Sequence, residues 1–377
     1  MTGFLSSLFW GLLTLSLLVF IHEGGHFLAA RAFGIRVTEF FLGLPSRYKI
    51  SRRSKRYGTE FGVTPFLLGG YNRICGMEGD EDELLADALA IVQREGRVSV
   101  AAVAQELGIE TERSYELMAA LADWGSIKAY YNPELGEHEG QSTWPEAFET
   151  LARDASELTC YDRGNDFEQA GATQEGEPRV LAGSAADALA RERSHTYLGL
   201  NYLRRICVLL AGPAVNVIAA VLIVVVTLSC FGMDVPTADG VVHWQPGLDV
   251  SIPFAFDYAA QVAQFAIKLI LPQHTMEILE SSSSVVGISV MASEAASAGP
   301  VDLALLVASV SMSLGFMNLL PVPPLDGGKI LIETVQLVLR RPISKRAQTA
   351  VSYVGLAFFI FIFVYALRND IFHFVIG

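Results

Sequence analysis

The chain has 377 residues, enough for two domains of ordinary size. Hydrophobic residues make up 51% and charged residues 18%, against about 25% in an average soluble domain. Mean hydropathy is +0.38, so a disordered chain, a collagen-like fibre and an ordinary soluble enzyme are excluded. The net charge of −13 is unevenly spread: 25 acidic and 7 basic residues lie between Glu78 and Ala190, leaving 15 acidic and 20 basic elsewhere.

In chain order, an apolar run from about Phe4 to Ala30 predicts a first membrane helix, whose first 18 residues carry no charge. It has no basic leading region or small-residue cleavage site and runs straight into a chemical motif, which predicts a retained helix, not a cleaved signal. Further spans are expected at about Ile206–Phe231, Val301–Leu320 and Thr349–Leu367. Phe254–Leu271 carries Asp257, Gln261, Gln264 and Lys268 among apolar residues and suits an interfacial helix.

Basic residues follow span one (Arg31 to Arg56), precede span two (Arg191, Arg193, Arg204, Arg205) and separate spans three and four (Arg340, Arg341, Lys345, Arg346). The positive-inside rule then puts both termini outside the cell and the acidic insert in the cytoplasm. Within the insert, Glu83–Glu95, Val100–Leu107 and a helix capped by Thr111 and running to Trp124 are expected, then a strand at Ile127–Tyr131. This order resembles a winged helix. Its acidity argues against nucleic acid and for a cytoplasmic protein partner or self-association, with a solvated spacer as the plain alternative. Residues 132 to about 190, rich in Glu, Gly, Ser and Ala, suggest a partly flexible linker, and Tyr130, Tyr131, Trp144, Phe148 and Tyr161 are expected to pack locally. Cys75, Cys160, Cys207 and Cys230 show no finger or disulfide-framework spacing.

His22-Glu23-Gly24-Gly25-His26 is an H-E-x-x-H pattern. On a helix, positions i and i+4 share a face, so both imidazoles can reach one zinc ion while Glu23 stands beside it as a general base. Chance is the competing reading, but ionisable groups closing an apolar run are costly and need partners. A third protein ligand is required, with the fourth position left for water. Asp326, in the proline-rich stretch Asn318–Gly328 that closes span three, can complete a His/His/Asp set; by itself it would read as a helix-stop turn. His138, His195, His243, His274 and His373 are scattered and read as surface residues.

These motifs, together with Gly212-Pro213-Ala-Val-Asn216 in span two, resemble the site-2 protease family of intramembrane zinc metalloproteases. The likeness is greatest to the bacterial branch that cleaves anti-sigma factors and signal-peptide remnants, and covers roughly Gly3–Gly79 and Leu198–Asp370. The resemblance implies His22, His26 and Asp326 as zinc ligands, Glu23 as catalytic base, Asn318 near the substrate backbone or reaction intermediate, and Asn216 as a residue ordering the site. It also implies a membrane-reentrant β-hairpin over Tyr57–Met77, with Gly69, Gly70 and Tyr71 at a strand edge that receives substrate. The expected fold is therefore a mainly α membrane protein with four transmembrane helices, a reentrant β-hairpin and a cytoplasmic winged-helix-like α+β insert. Its expected parts are residues 1–79, an insert at 80–131, an acidic linker at 132–197 and the membrane region 198–377. The chain departs from the family in its short segment 232–300, with Gly240–Gly247 at most a vestige of a PDZ domain, and in its acidic insert. The implied function is regulated intramembrane proteolysis of single-span proteins in the bacterial cytoplasmic membrane. The alternatives are a catalytically inactive scaffold and another membrane zinc peptidase; the latter would need a downstream E-x-x-x-D/N helix motif, which is not evident.

Overall fold

The structure is a computed structural model. It describes every residue except 1, 68, 78–80, 139–140, 142–144, 182, 239, 272, 274, 276–277, 279–282, 342 and 372–377. Trp144, His274 and His373 thus lie outside the described residues.

In chain order the elements begin with α1 (Thr2–Ala32), β1 (Val37–Leu42), β2 (Ile50–Arg53), β3 (Glu60–Val63) and β4 (Gly70–Ile74). There follow α2 (Leu85–Glu95), β5 (Arg97–Ser99), α3 (Val100–Leu107), α4 (Thr111–Asp123), β6 (Ile127–Tyr130), β7 (Ala147–Thr150) and α5 (Ala185–Ser194). The remainder comprises α6 (Tyr202–Val226), β8 (Met233–Thr237), β9 (Gly240–Trp244), α7 (Leu248–Leu269), α8 (Val285–Ala298), α9 (Pro300–Asn318), α10 (Asp326–Leu339) and α11 (Lys345–Ile371). The chain is mostly helical, and α1, α6, α9 and α11 are long and apolar enough to cross a membrane. It forms two compact units.

The first unit holds Met1–His26, Leu67–Gly69 and Ile206–Gly377. Here α6, α7 and α9 share a core of Ala220, Val224, Leu228, Ala255, Ala259, Ala308 and Met312. Small residues allow close approach: a Cβ on Gly315 of α9 would come 2.9 Å from the Pro213 carbonyl of α6. Asp370, near the end of α11, accepts from the Ser284 and Gly287 backbone N–H groups and so satisfies orphan donors at the start of α8. β8 and β9 pair antiparallel, so the first five residues of Gly240–Gly247, Gly240–Trp244, form a strand.

The second unit holds Phe27–Phe66 and Gly70–Arg205. Its first sheet has the order β2-β3-β1-β4, with β1 parallel to β3 and antiparallel to β4. This corrects the expected simple hairpin over Tyr57–Met77. β3 and β4 do not pair with each other, because β1, whose Phe40 and Phe41 are buried, lies between them. The insert packs α2, α3, α4, α5 and the sheet β5-β7-β6 around Leu89, Val103, Met118, Leu121, Trp124 and Phe148. Ser99 caps α3 by accepting from the Ala102 N–H, and Gly108 ends it in the left-handed region, as those residue types favour. At α4 the cap position belongs to Glu110, which has no side-chain cap bond, and Thr111 is already helical. The stretch 132–197 is also corrected from a linker. Ala147–Thr150 is the central strand of the insert's sheet, and Phe148, Arg153 and Glu192 are buried. Its acidic composition concealed that its carboxylates find arginine partners inside the unit.

Candidate metal centre

α1 runs without proline through His22 and His26, so the two imidazoles project from one face, with ring centroids 4.8 Å apart. Asp326 is the first residue of α10, with Leu325 as its cap, so the expected turn aspartate is a helix N-terminal one. A carboxylate suits that end of a helix dipole. The turn that brings it there depends on glycine. A Cβ on Gly327 would lie 2.3 Å from the Leu319 carbonyl oxygen, and one on Gly328 would lie 2.2 Å from the Pro323 nitrogen.

The three side chains meet. His22 Nε2 lies 3.0 Å from Asp326 Oδ2, His26 Nε2 lies 3.2 Å from the same oxygen, and the two Nε2 atoms are 3.2 Å apart. All three residues are buried, at 6%, 5% and 8% exposure. Among the described residues this is the one group of His, Cys, Asp or Glu side chains close enough to share an ion.

The donor set tests whether a metal fits. His26 Nδ1 donates to the Val208 carbonyl oxygen at 2.8 Å, which leaves the lone pair on Nε2. That lone pair faces a carboxylate oxygen and a second imidazole nitrogen, an arrangement that calls for a cation among them. The triangle's sides of 3.0–3.2 Å are close to the ~3.3 Å edge of a tetrahedron with zinc–ligand bonds of ~2.0–2.1 Å. The Asn216 amide lies 3.4 Å from His22 Nδ1, and its Oδ1 is buried without a protein partner. A half-turn of that amide lets Oδ1 accept from Nδ1–H and presents His22 Nε2 as an acceptor too. The residues fit a divalent cation.

The remaining expected residues are placed as follows. Glu23 is half-buried next to His22 on α1. Asn318 turns its amide back to donate to the Leu314 carbonyl at 2.9 Å, within its own helix. Gly69, at φ +101°, leads into Gly70, the first residue of β4. The Tyr71 hydroxyl donates to Glu39 at 2.8 Å, and its ring stacks on Phe41. Of the two glycines in the histidine motif, only Gly25 meets a neighbour: a Cβ there would sit 2.4 Å from the Ala211 carbonyl of α6, whereas Gly24 is open.

Val208 escapes a reading of the sequence, and Gly212, quoted with the motif of span two, is given no role there. Val208 offers only a backbone carbonyl, which no side-chain pattern reveals. Gly212 leaves space for the His26 ring, since a Cβ there would come 2.3 Å from His26 Nε2.

A sequence model of peptidase family M50 matches residues 10–362. The metalloprotease MmpA of Caulobacter vibrioides is 27% identical over 402 residues, covering 98% of this chain and 96% of that protein. The zinc metalloprotease RasP of Bacillus licheniformis is 32% identical over 149 residues, covering 38% of this chain and 33% of that protein. The regulator of sigma-W protease RasP of Bacillus subtilis is 30% identical over 145 residues, again 38% of this chain and 33% of that protein.

Proposed function

We propose, from the premise that this chain belongs to peptidase family M50 and is a zinc-dependent membrane protease of the site-2 type, that His22, His26 and Asp326 hold its zinc and Glu23 is its general base. The observation that carries the reading is the meeting of three ligand atoms, from α1 and α10, within 3.2 Å of one another. Zinc, when bound, supplies a Lewis acid that polarises a scissile carbonyl and makes water acidic enough to lose a proton near neutral pH. The Glu23 carboxylate takes that proton and delivers it to the leaving amine. Val208 and Asn216 hold the two imidazoles in the ligating tautomer. Burial of all three ligands excludes bulk water and strengthens their interactions.

The substrates are transmembrane segments of single-span proteins, of the anti-sigma-factor or signal-peptide-remnant type, cut in regulated intramembrane proteolysis. A substrate helix must unwind before a peptide bond is accessible. β4 is an edge strand with no strand on its outer side among the described residues, so it can receive an extended segment by strand addition. Asn318 and Gly69–Tyr71 belong to this substrate path, with the strands of residues 57–77 reaching into the membrane. The Asn318 amide then has to leave its bond to Leu314. The distribution of basic residues supports a bacterial cytoplasmic membrane location with both termini outside and the insert in the cytoplasm. The insert's order of helix, strand, two helices and two strands, with sheet order β5-β7-β6, supports a winged-helix-like module for a protein partner or self-association.

The test is cleavage of a labelled single-span substrate by the wild type and by Glu23→Gln, with metal analysis of both. Cleavage lost with zinc retained is expected; equal cleavage by the two proteins removes the assignment.

A further inference from the structure

Three arginines of the second unit are buried: Arg31, Arg36 and Arg153. Arg36 is paired with Asp162 and Glu192, and Arg153 with Glu192. Arg31 is not neutralised in this way. Its Nη atoms donate only to the carbonyl oxygens of Ile35, Tyr161 and Tyr57, and its Nε has no protein partner. A buried cation without a counter-charge is costly.

Other cations crowd the same place. The guanidiniums of Arg31, Arg56 and Arg163 lie 4.9, 5.3 and 5.2 Å from the centre of the Tyr57 ring. Arg56 and Arg163 are exposed and screened by salt, whereas the buried Arg31 is screened much less. Neither Arg56 nor Arg163 has an ion pair among the described residues. Asp162 gives both oxygens to Arg36, Glu157 pairs with Arg179, and Glu175 pairs with Lys128.

A cavity of about 190 Å³ opens here, lined by Arg31, Gly34, Tyr161, Asp162, Arg163 and His195. It is several times the ~30 Å³ share of one water molecule. His195 Nδ1 is taken up by the Arg191 carbonyl oxygen, so the anion donors of the cavity are the two guanidiniums. A tetrahedral phosphate, whether monoester or diester, offers anionic oxygens in more than one plane and so suits two guanidiniums reaching it from different elements better than a planar carboxylate does. We propose that this cavity is a binding site for a phosphate group, carried by a free phosphate ester or by the headgroup of an anionic lipid. Arg31 stands in the last turn of the membrane helix α1, which puts headgroup phosphates among the sources.

The full chain in neutral detergent is titrated with inorganic phosphate, and in parallel its binding to phosphatidylglycerol vesicles is compared with phosphatidylcholine vesicles. The wild type is expected to bind at least one phosphate source. Arg163→Gln, at an exposed position, should weaken that binding about tenfold. Arg163→Lys should restore part of it, and Arg47→Gln, a basic residue outside the cavity, should leave it unchanged. Phosphate binding without a lipid preference assigns a soluble ester; a phosphatidylglycerol preference lost in Arg163→Gln without phosphate binding assigns the headgroup. Binding to neither source, or equal effects of the Arg163→Gln and Arg47→Gln changes, overturns the site.

Discussion

In one unit Arg36 and Arg153 face Asp162 and Glu192; in the other His22, His26 and Asp326 face one another. Both groups are buried and both span long stretches of sequence. In the first, donors and acceptors alternate. Arg36 Nε and Nη2 reach the two oxygens of Asp162 at 2.7 and 2.6 Å, and the two oxygens of Glu192 are divided between Arg36 and Arg153. Ser126 adds a further donor to Glu192 at 2.7 Å. Two positive and two negative charges cancel, so the cluster is complete in itself. In the second, two imidazole nitrogens and a carboxylate oxygen converge within 3.2 Å of one another, and on the proposed reading a cation completes the arrangement. A closed buried network fixes a fold, whereas a buried network with a surplus of acceptors is a binding site.

The contrast can be tested from each side, and the largest effect is expected at the open cluster. Glu23→Gln should lower cleavage of a single-span substrate by about 10²–10⁴-fold with zinc content and unfolding temperature unchanged; Asp326→Asn should lower zinc content itself. Next comes the closed cluster. Glu192→Gln or Asp162→Ala leaves a buried guanidinium uncompensated and should cost about 3–5 kcal/mol in denaturant unfolding. Such a variant should keep its zinc, and zinc loss at constant folded fraction would erase the distinction between the clusters. A smaller change is expected at Asn216→Ala, where loss of the amide behind His22 should weaken zinc affinity about 10–100-fold in a chelator competition.

The smallest effect near neutrality is that of pH on the closed cluster. Burial opposes the charge of Glu192, but Arg153 and Arg36 overcome it and hold its carboxyl well below its ordinary value of 4.5. Arg36 likewise holds Asp162 below 3.8 against burial. Both folded values are depressed, so their stabilisation is complete above the unfolded values and is lost as pH falls through the folded ones. Hydrogen exchange of segments around Ser126, Asp162 and Glu192 should therefore be flat from pH 7 to 5, after correction for intrinsic rates. Protection should decline only below about pH 4; a decline beginning at pH 6 would mean that other groups control this unit.

How far the sequence could be read depended on the separation of the residues involved. The apolar runs announced α1, α6, α9 and α11, because a membrane helix is encoded by its own composition. The pairing of His22 with His26 was visible for a similar reason, since four residues make about one helical turn. Ser99 and Gly108 marked the ends of α3 through local backbone preferences. β1 was missed although Val37–Leu42 is rich in β-branched and aromatic residues. Without β1, β3 and β4 were wrongly expected to pair with each other. β7 was missed because its surroundings have the composition of a solvated linker.

Taken alone, the amino-acid sequence determined the four apolar helices, the spacing of two imidazoles on one helical face and the presence of a distant aspartate among prolines and glycines. These depend on interactions within a turn or two, or on the composition of a single segment. Only the tertiary structure decided that Val208 holds the His26 tautomer, that Gly212 vacates the space His26 occupies, and that Arg36 meets carboxylates 126 and 156 positions away. Such contacts follow from which helices and strands pack together, and packing is a collective outcome of shape and burial that no local pattern of residues encodes.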